Sequence, residues 1–268
     1  MQKTFNVATT PLRKPVACSI TRFLVLIQGE SGSGKSGLLY TVLLRMAEAL
    51  GALVQCAIID GKTLTFMHMT RRFYVYTEPD EWLRVFRAFV NEMKRRYMYM
   101  AEACIDVLPV TEQMPYLVLV VDEANTVFAQ TTWPTKAQRD EAMKLVEQYA
   151  AMCRGANMGL VVSCQSALSD CITTNTRSNL STRFALRTSG PEQAKAIHGG
   201  RDEECDPQVL DVGMPGDMFA LTSETKNRWV RCRADYMSRQ EQGYLLNKLN
   251  ADKRPVGALA FDDPNYVG

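Results

Sequence analysis

Residues 29–36 read Gly-Glu-Ser-Gly-Ser-Gly-Lys-Ser, and these eight positions decide the fold. A glycine, four intervening residues and then Gly-Lys-Ser form the phosphate-loop pattern, in which glycines let successive backbone N–H groups face a triphosphate. Gly29, Glu30, Ser31, Gly32, Ser33, Gly34, Lys35, Ser36 and Gly37 are therefore the expected nucleotide-binding residues. Lys35 reaches the β- and γ-phosphates in such a loop, and the Ser36 hydroxyl holds Mg²⁺. The flanks agree with this reading. Phe23–Ile27 (FLVLI) is a continuous apolar run suited to a buried parallel strand. Leu38, Leu39, Val42, Met46, Ala49 and Leu50 follow at helical spacing, with Gly51 as the stop. A helix starting there turns the positive end of its dipole on the phosphates.

The second landmark is Tyr116–Glu123 (YLVLVVDE), an apolar strand that ends in two acids. Downstream of a phosphate loop this is the Walker B form. Asp122 is expected to support Mg²⁺ opposite Ser36, and Glu123 to orient or deprotonate the attacking water. Gly159–Cys164 (GLVVSC) is a further buried strand and closes on Gln165. A polar side chain at the C-terminal end of a parallel strand sits where such sheets bind ligands, so Gln165 is a candidate γ-phosphate sensor.

The totals limit the alternatives. A chain of 268 residues, 46% hydrophobic and 22% charged, has the composition of an ordinary globule and room for one large α/β domain. The formal charge of +2 gives no global attraction to nucleic acid, so any DNA contact must be local. Eight cysteines without a C-x-x-C pair, and two histidines, argue against zinc and for reduced buried thiols in a cytoplasmic protein. Apolar runs of strand length and no signal-peptide core argue against membrane insertion.

Residues 1–22, with Pro11 and Pro15, read as an N-terminal arm, 23–250 as one ATPase domain and 251–268 as a tail. Further strands are expected at Leu53–Ile59, Phe73–Tyr76 and Arg183–Thr188, with a hairpin from Gly216–Ser223 to Trp229–Tyr236. Helices are expected from the Thr77-Glu78-Pro79-Asp80 start signal to about Cys104, and over 135–154, 191–198 and 239–249. The basic residues Arg84, Arg87, Lys94 and Arg95 on the first of these read as a solvated face.

Taken together, the order of strand and phosphate loop, Asp-Glu strand, Gln-ended strand and arginine-bearing strand resembles the motor domain of the FtsK/SpoIIIE DNA translocases. These belong to the FtsK–HerA group of RecA-like ATPases. The likeness extends to IIDGKTLTF at 58–66, FVNEMKRRYMYM at 89–100, RGANMGLVVSCQS at 154–166, SNLSTRFALRT at 178–188 and VGMPGDMFAL at 212–221. The resemblance implies a RecA-like P-loop α/β fold with a mostly parallel sheet flanked by helices and a C-terminal β-hairpin. It implies ATP and Mg²⁺ as cofactors and a ring, commonly a hexamer, threaded by double-stranded DNA. It also implies that an arginine reaches the neighbouring subunit's γ-phosphate, with Arg183 the first candidate and Arg187 the second.

Two departures stand out. Gly61 replaces the proline common in the family, and Gln165-Ser166-Ala167 replaces a Gln-Arg-Pro run. A membrane region and a winged-helix module are not seen, which suggests a stand-alone motor of a mobile element, plasmid or virus. Protein cargo, as in type VII secretion ATPases, and a non-hydrolysing ATP-binding subunit are the alternatives. The loops at 62–72 and 124–136 are the expected pore elements.

Overall fold

The computed structural model describes residues 4–70, 72–198 and 205–251. The expected tail therefore lies outside the described residues except at position 251, as does Arg71 of the first expected pore loop. Ten strands are described: β1 (Thr4–Thr9), β2 (Pro15–Ser19), β3 (Leu24–Gln28), β4 (Val54–Asp60), β5 (Tyr74–Tyr76), β6 (Tyr116–Asp122), β7 (Met158–Cys164), β8 (Thr182–Leu186), β9 (Asp217–Leu221) and β10 (Val230–Ala234). They form one sheet in the order β2-β1-β10-β9-β8-β3-β7-β6-β4-β5. From β8 to β5 every pairing is parallel, and from β8 outward to β2 every pairing is antiparallel.

The apolar runs explain the centre of the sheet. β4, β6 and β7 are buried at every position, as strands covered on both faces must be. One face is covered by α2 (Pro79–Glu102) and α4 (Lys136–Met152), through Phe86, Phe89, Val146 and Tyr149. Each fully buried phenylalanine of this kind contributes about 1.5–3 kcal/mol. The other face is covered by α1 (Lys35–Leu50), with Leu245, Leu246 and Leu249 near the C-terminus joining the same core. Lys35–Leu53 is apolar enough to span a membrane by composition, with mean hydropathy 1.3 over a longer run than the sequence led us to expect. Its setting accounts for that: α1 packs on the sheet, strand β1 of the N-terminal hairpin included, and is covered from the other side by the C-terminal leucines, so most of its residues are buried.

That hairpin corrects the reading of residues 1–22 as an arm. Phe5, Val7, Val16 and Cys18 are buried in the α1 core, and β1 pairs with β10. Pro11 lies in the connecting turn and Pro15 opens the edge strand, two places where a missing N–H does no harm. The basic face of α2 is partly committed, since Arg87 pairs with Glu141 of α4 and Arg95 with Glu92. Helix α2 has Glu78 at its N-cap, without a side-chain cap bond, and Pro79 in its first turn, within the expected start signal.

The remaining helices are short or terminal: α3 (Ala124–Val127), α5 (Thr174–Asn179), α6 (Pro191–His198) and α7 (Arg239–Ala251). Of these α3 falls in a stretch expected to be loop. Parallel register brings Gln28 beside Cys164 and Asp60 beside Asp122. The segments that follow β3, β7, β6 and β4 thus leave the same edge of the sheet next to one another.

Candidate nucleotide site

The phosphate loop is built by backbone bonds at that edge. Gly29 N–H donates to Cys164 O (3.2 Å), Glu30 N–H to Arg187 O (2.9 Å) and Ser33 N–H to Glu30 O (3.3 Å). Ser33 Oγ also donates to Glu30 O (2.8 Å). Gly34 caps α1 at φ +97°, and a Cβ there would meet the backbone nitrogen of Gly216 at 2.4 Å, so only glycine fits. The first turn of α1 leaves the N–H groups of Lys35, Ser36 and Gly37 without intrahelical acceptors, as an anion site requires.

Lys35 is buried, and its Nζ donates to Glu123 Oε2 at 2.9 Å. A second lysine, Lys62, approaches the same oxygen at 2.6 Å. Burial pushes the Glu123 carboxyl up, but the two ammonium groups outweigh it and hold the pKa below the ordinary value. Glu123 itself sits in the left-handed region at φ 55°, ψ 60°, which turns its side chain back toward the loop. Its other oxygen, Oε1, is buried without a hydrogen bond.

Asp122 is wholly buried, and neither of its carboxylate oxygens makes a hydrogen bond. Burial raises its pKa, although Lys35, the Ser163 hydroxyl and Lys62 draw it down. Two orphaned acceptors at the bottom of a phosphate site fit the coordination shell of a hard divalent cation. Ser36, at the start of α1, is half-buried.

Gln165 is exposed at the end of β7, between the strands that carry the loop and the two acids. Its turn is fixed by Asn125, whose Oδ1 accepts from the N–H groups of Gln165 (2.8 Å) and Ser166 (3.1 Å). Neither Lys62 nor Asn125 was expected here. The only signal was proximity in sequence to Asp60 and Glu123. Lys62 is placed by Asp60, whose carboxylate accepts from the Lys62 and Phe66 N–H groups at 3.0 Å each. Gly61 suits this approach: its N–H donates to Asp122 O (3.3 Å), and a Cβ there would lie 2.9 Å from that oxygen.

Both candidate arginines make contacts within their own chain. Arg183 spends its guanidinium within its own chain, donating to Leu180 O (3.0 Å), Ile197 O (2.7 Å) and Arg177 O (3.0 Å). Its pKa is lowered by burial and by Arg177. This arginine ties α5 and α6 to β8. Arg187 pairs with Glu30 of its own phosphate loop.

A sheet with parallel central strands, a phosphate loop after β3 and two buried acids at the end of β6 defines a RecA-like P-loop ATPase domain. The chain belongs to the FtsK/SpoIIIE family, whose sequence profile matches residues 4–198. DNA translocase FtsK of Treponema pallidum (strain Nichols) is 25% identical over 260 residues, which cover 89% of this chain and 30% of that protein. The chain thus spans less than a third of that relative.

Among solved structures, the pCW3 conjugation coupling protein TcpA, in its monomer form with ATPγS, superposes with a TM-score of 0.77. It is 18% identical, and the match covers 93% of this chain and 70% of that one. The cytoplasmic domain of the Thermomonospora curvata type VII secretion ATPase EccC gives 0.72 at 19% identity, covering 92% and 31%. At such identities the likeness shows the fold.

Proposed function

We propose that this chain is an ATP-hydrolysing motor that moves double-stranded DNA as a subunit of a homo-oligomeric, six-membered ring. The observation that supports it best is the buried Glu123 held by Lys35 beside the unpartnered Asp122, in a family with DNA translocases among its members. Conjugative transfer and viral genome packaging are the settings this reading favours, with the motor working in the cytoplasm.

In this reading the triphosphate draws Lys35 away from Glu123, and the N–H groups at the start of α1 hold the β-phosphate. Ser36 and Asp122 would hold Mg²⁺, which neutralises charge on the phosphates. Glu123 accepts a proton from the attacking water through its free Oε1, while Gln165 reads the presence of the γ-phosphate. An arginine from a neighbouring subunit completes the charge stabilisation.

The test is ATP hydrolysis with and without long duplex DNA, with particle mass recorded in the same samples and Glu123→Gln as control. Strong stimulation by DNA, lost in the variant, is the expected result. Turnover indifferent to DNA in an assembled ring would overturn the DNA reading in favour of protein cargo. Nucleotide binding without turnover in such a ring would mark a non-hydrolysing assembly subunit.

A further inference from the structure

Two side chains grip the turn that carries Gln165, one from each half of the nucleotide site. On the Glu123 side stands Asn125. Its Oδ1 accepts from the N–H groups of Gln165 and Ser166, at 2.8 and 3.1 Å, and its Nδ2 donates to Ser166 O at 3.2 Å. Both lone pairs of the amide oxygen are thereby used on two successive N–H groups. On the phosphate-loop side stands Gln28, the last residue of β3 and wholly buried. Its Oε1 accepts from Ala167 N–H at 3.2 Å, and its Nε2 donates to Gln193 O of α6 at 2.8 Å. Gln28 requires an N–H at position 167, which Ala167 supplies and a proline would not.

Asn125 is in turn placed by Glu123. The left-handed backbone of Glu123 opens α3, and its carbonyl accepts from the Thr126 and Val127 N–H groups at 2.8 and 3.0 Å. Ala124 and Val127 drop into the core, which leaves Asn125 half-buried against the turn after β7. Strands β6 and β7 are parallel neighbours with Val121 level with Val162, so Glu123 and Gln165 leave the sheet side by side. A shift of Glu123 therefore moves α3, and the turn moves with it.

The Gln165 side chain has no such support. It is exposed and makes no hydrogen bond among the described residues, so the backbone of its own turn sets its direction. A misplacement of about 1 Å at a reacting group costs about a hundredfold in rate, which makes the hold on that backbone a kinetic matter. We propose that Asn125 is a positioning residue for hydrolysis that acts through Gln165. It locks the turn of the γ-phosphate sensor to the backbone of the acid assigned to the water. The proposal rests on the hydrolytic reading above and adds to it a physical link between Glu123 and Gln165.

The test is a double-mutant cycle of Asn125→Ala and Gln165→Ala in the full chain. It measures kcat and KM for ATP, with ATPγS affinity by calorimetry on the same samples. Each single variant is expected to lower kcat about tenfold to a hundredfold, with KM and ATPγS affinity little changed. The double variant should be no slower than Gln165→Ala alone, because Asn125 then has no sensor left to place. Asn125→Asp keeps the acceptor for both N–H groups and should restore most of the rate. Losses that multiply in the double variant overturn the proposal, as does a wild-type kcat in Asn125→Ala. An Asn125→Asp variant that binds ATPγS normally but turns over as slowly as Gln165→Ala overturns it too, and this arm decides if the alanine variant does not fold. A wild-type rate in Gln165→Ala removes the sensor, and this proposal with it, while leaving the hydrolytic reading intact. A wild-type chain that binds ATPγS but never turns ATP over sinks that reading and the role of Asn125 together.

Discussion

Glu123 Oε2 is shared by two lysines, Lys35 at 2.9 Å and Lys62 at 2.6 Å, so the acid that follows β6 is tied both to the phosphate loop and to the segment after β4. A triphosphate must compete with Glu123 for Lys35. Glu123→Gln removes the charge that holds the lysine and keeps the shape. We expect this variant to bind ATPγS at least as tightly as the wild type while hydrolysis falls by about 10²–10⁴-fold. Tenfold weaker binding by calorimetry would show that Glu123 does not compete for Lys35.

In the proposed reaction Lys35 turns to phosphate, which would leave Lys62 as the cation against Glu123. The nearby acids raise its pKa against the effect of burial, so it stays charged. Lys62→Ala frees a buried carboxylate to rotate and is expected to lower kcat about tenfold to a hundredfold with little change in the KM for ATP. Lys62→Arg keeps the charge and should restore part of the rate. A rise in KM at constant kcat would place Lys62 on the nucleotide instead.

The reach of the sequence follows from the range of each interaction. Gly29–Ser36 and Asp122-Glu123 were legible because a strand, its terminal residues and the next helix are contiguous in the chain. The Lys62–Glu123 pair was not. It exists because β4 lies beside β6 with Asp60 level with Asp122, and strand order is a tertiary fact. The β1–β2 hairpin was hidden for a local reason. Its two prolines read as breakers, and a bulge between Asn6 and Ala8 interrupts the alternation that marks a strand. Arg183 was placed on the right strand, but the carbonyls it binds come from segments before and after that strand, 3 to 14 residues away.

Arg183 bears directly on that last point. A guanidinium bonded to three backbone carbonyls is a structural tie, and its removal leaves those carbonyls short of a donor in a part-buried place. Arg183→Ala is expected to cost about 1–3 kcal/mol of stability, seen as a lower urea midpoint in the nucleotide-free chain. An unchanged midpoint with a lost ATPase rate would instead point to a role between subunits.

Asp122 carries the opposite expectation. Its two oxygens are buried without hydrogen bonds, and burial raises its pKa. An acid whose folded pKa lies above its unfolded value ionises more readily in the unfolded chain, so it lowers stability as pH rises through that interval. Below the ordinary aspartate range the penalty is absent. Asp122→Asn removes the charge at every pH, leaving a neutral side chain of nearly the same size. The nucleotide-free variant should therefore be more stable than the wild type near neutral pH by about 1 kcal/mol, or 2–4 °C in Tm for a domain of this size. The gain should fade as the pH is lowered, because the wild-type carboxyl then protonates too. Hydrolysis should be lost throughout. A lower Tm at neutral pH would mean that attraction to Lys35 outweighs burial at this position, and thermal melts of the two proteins across pH decide between them.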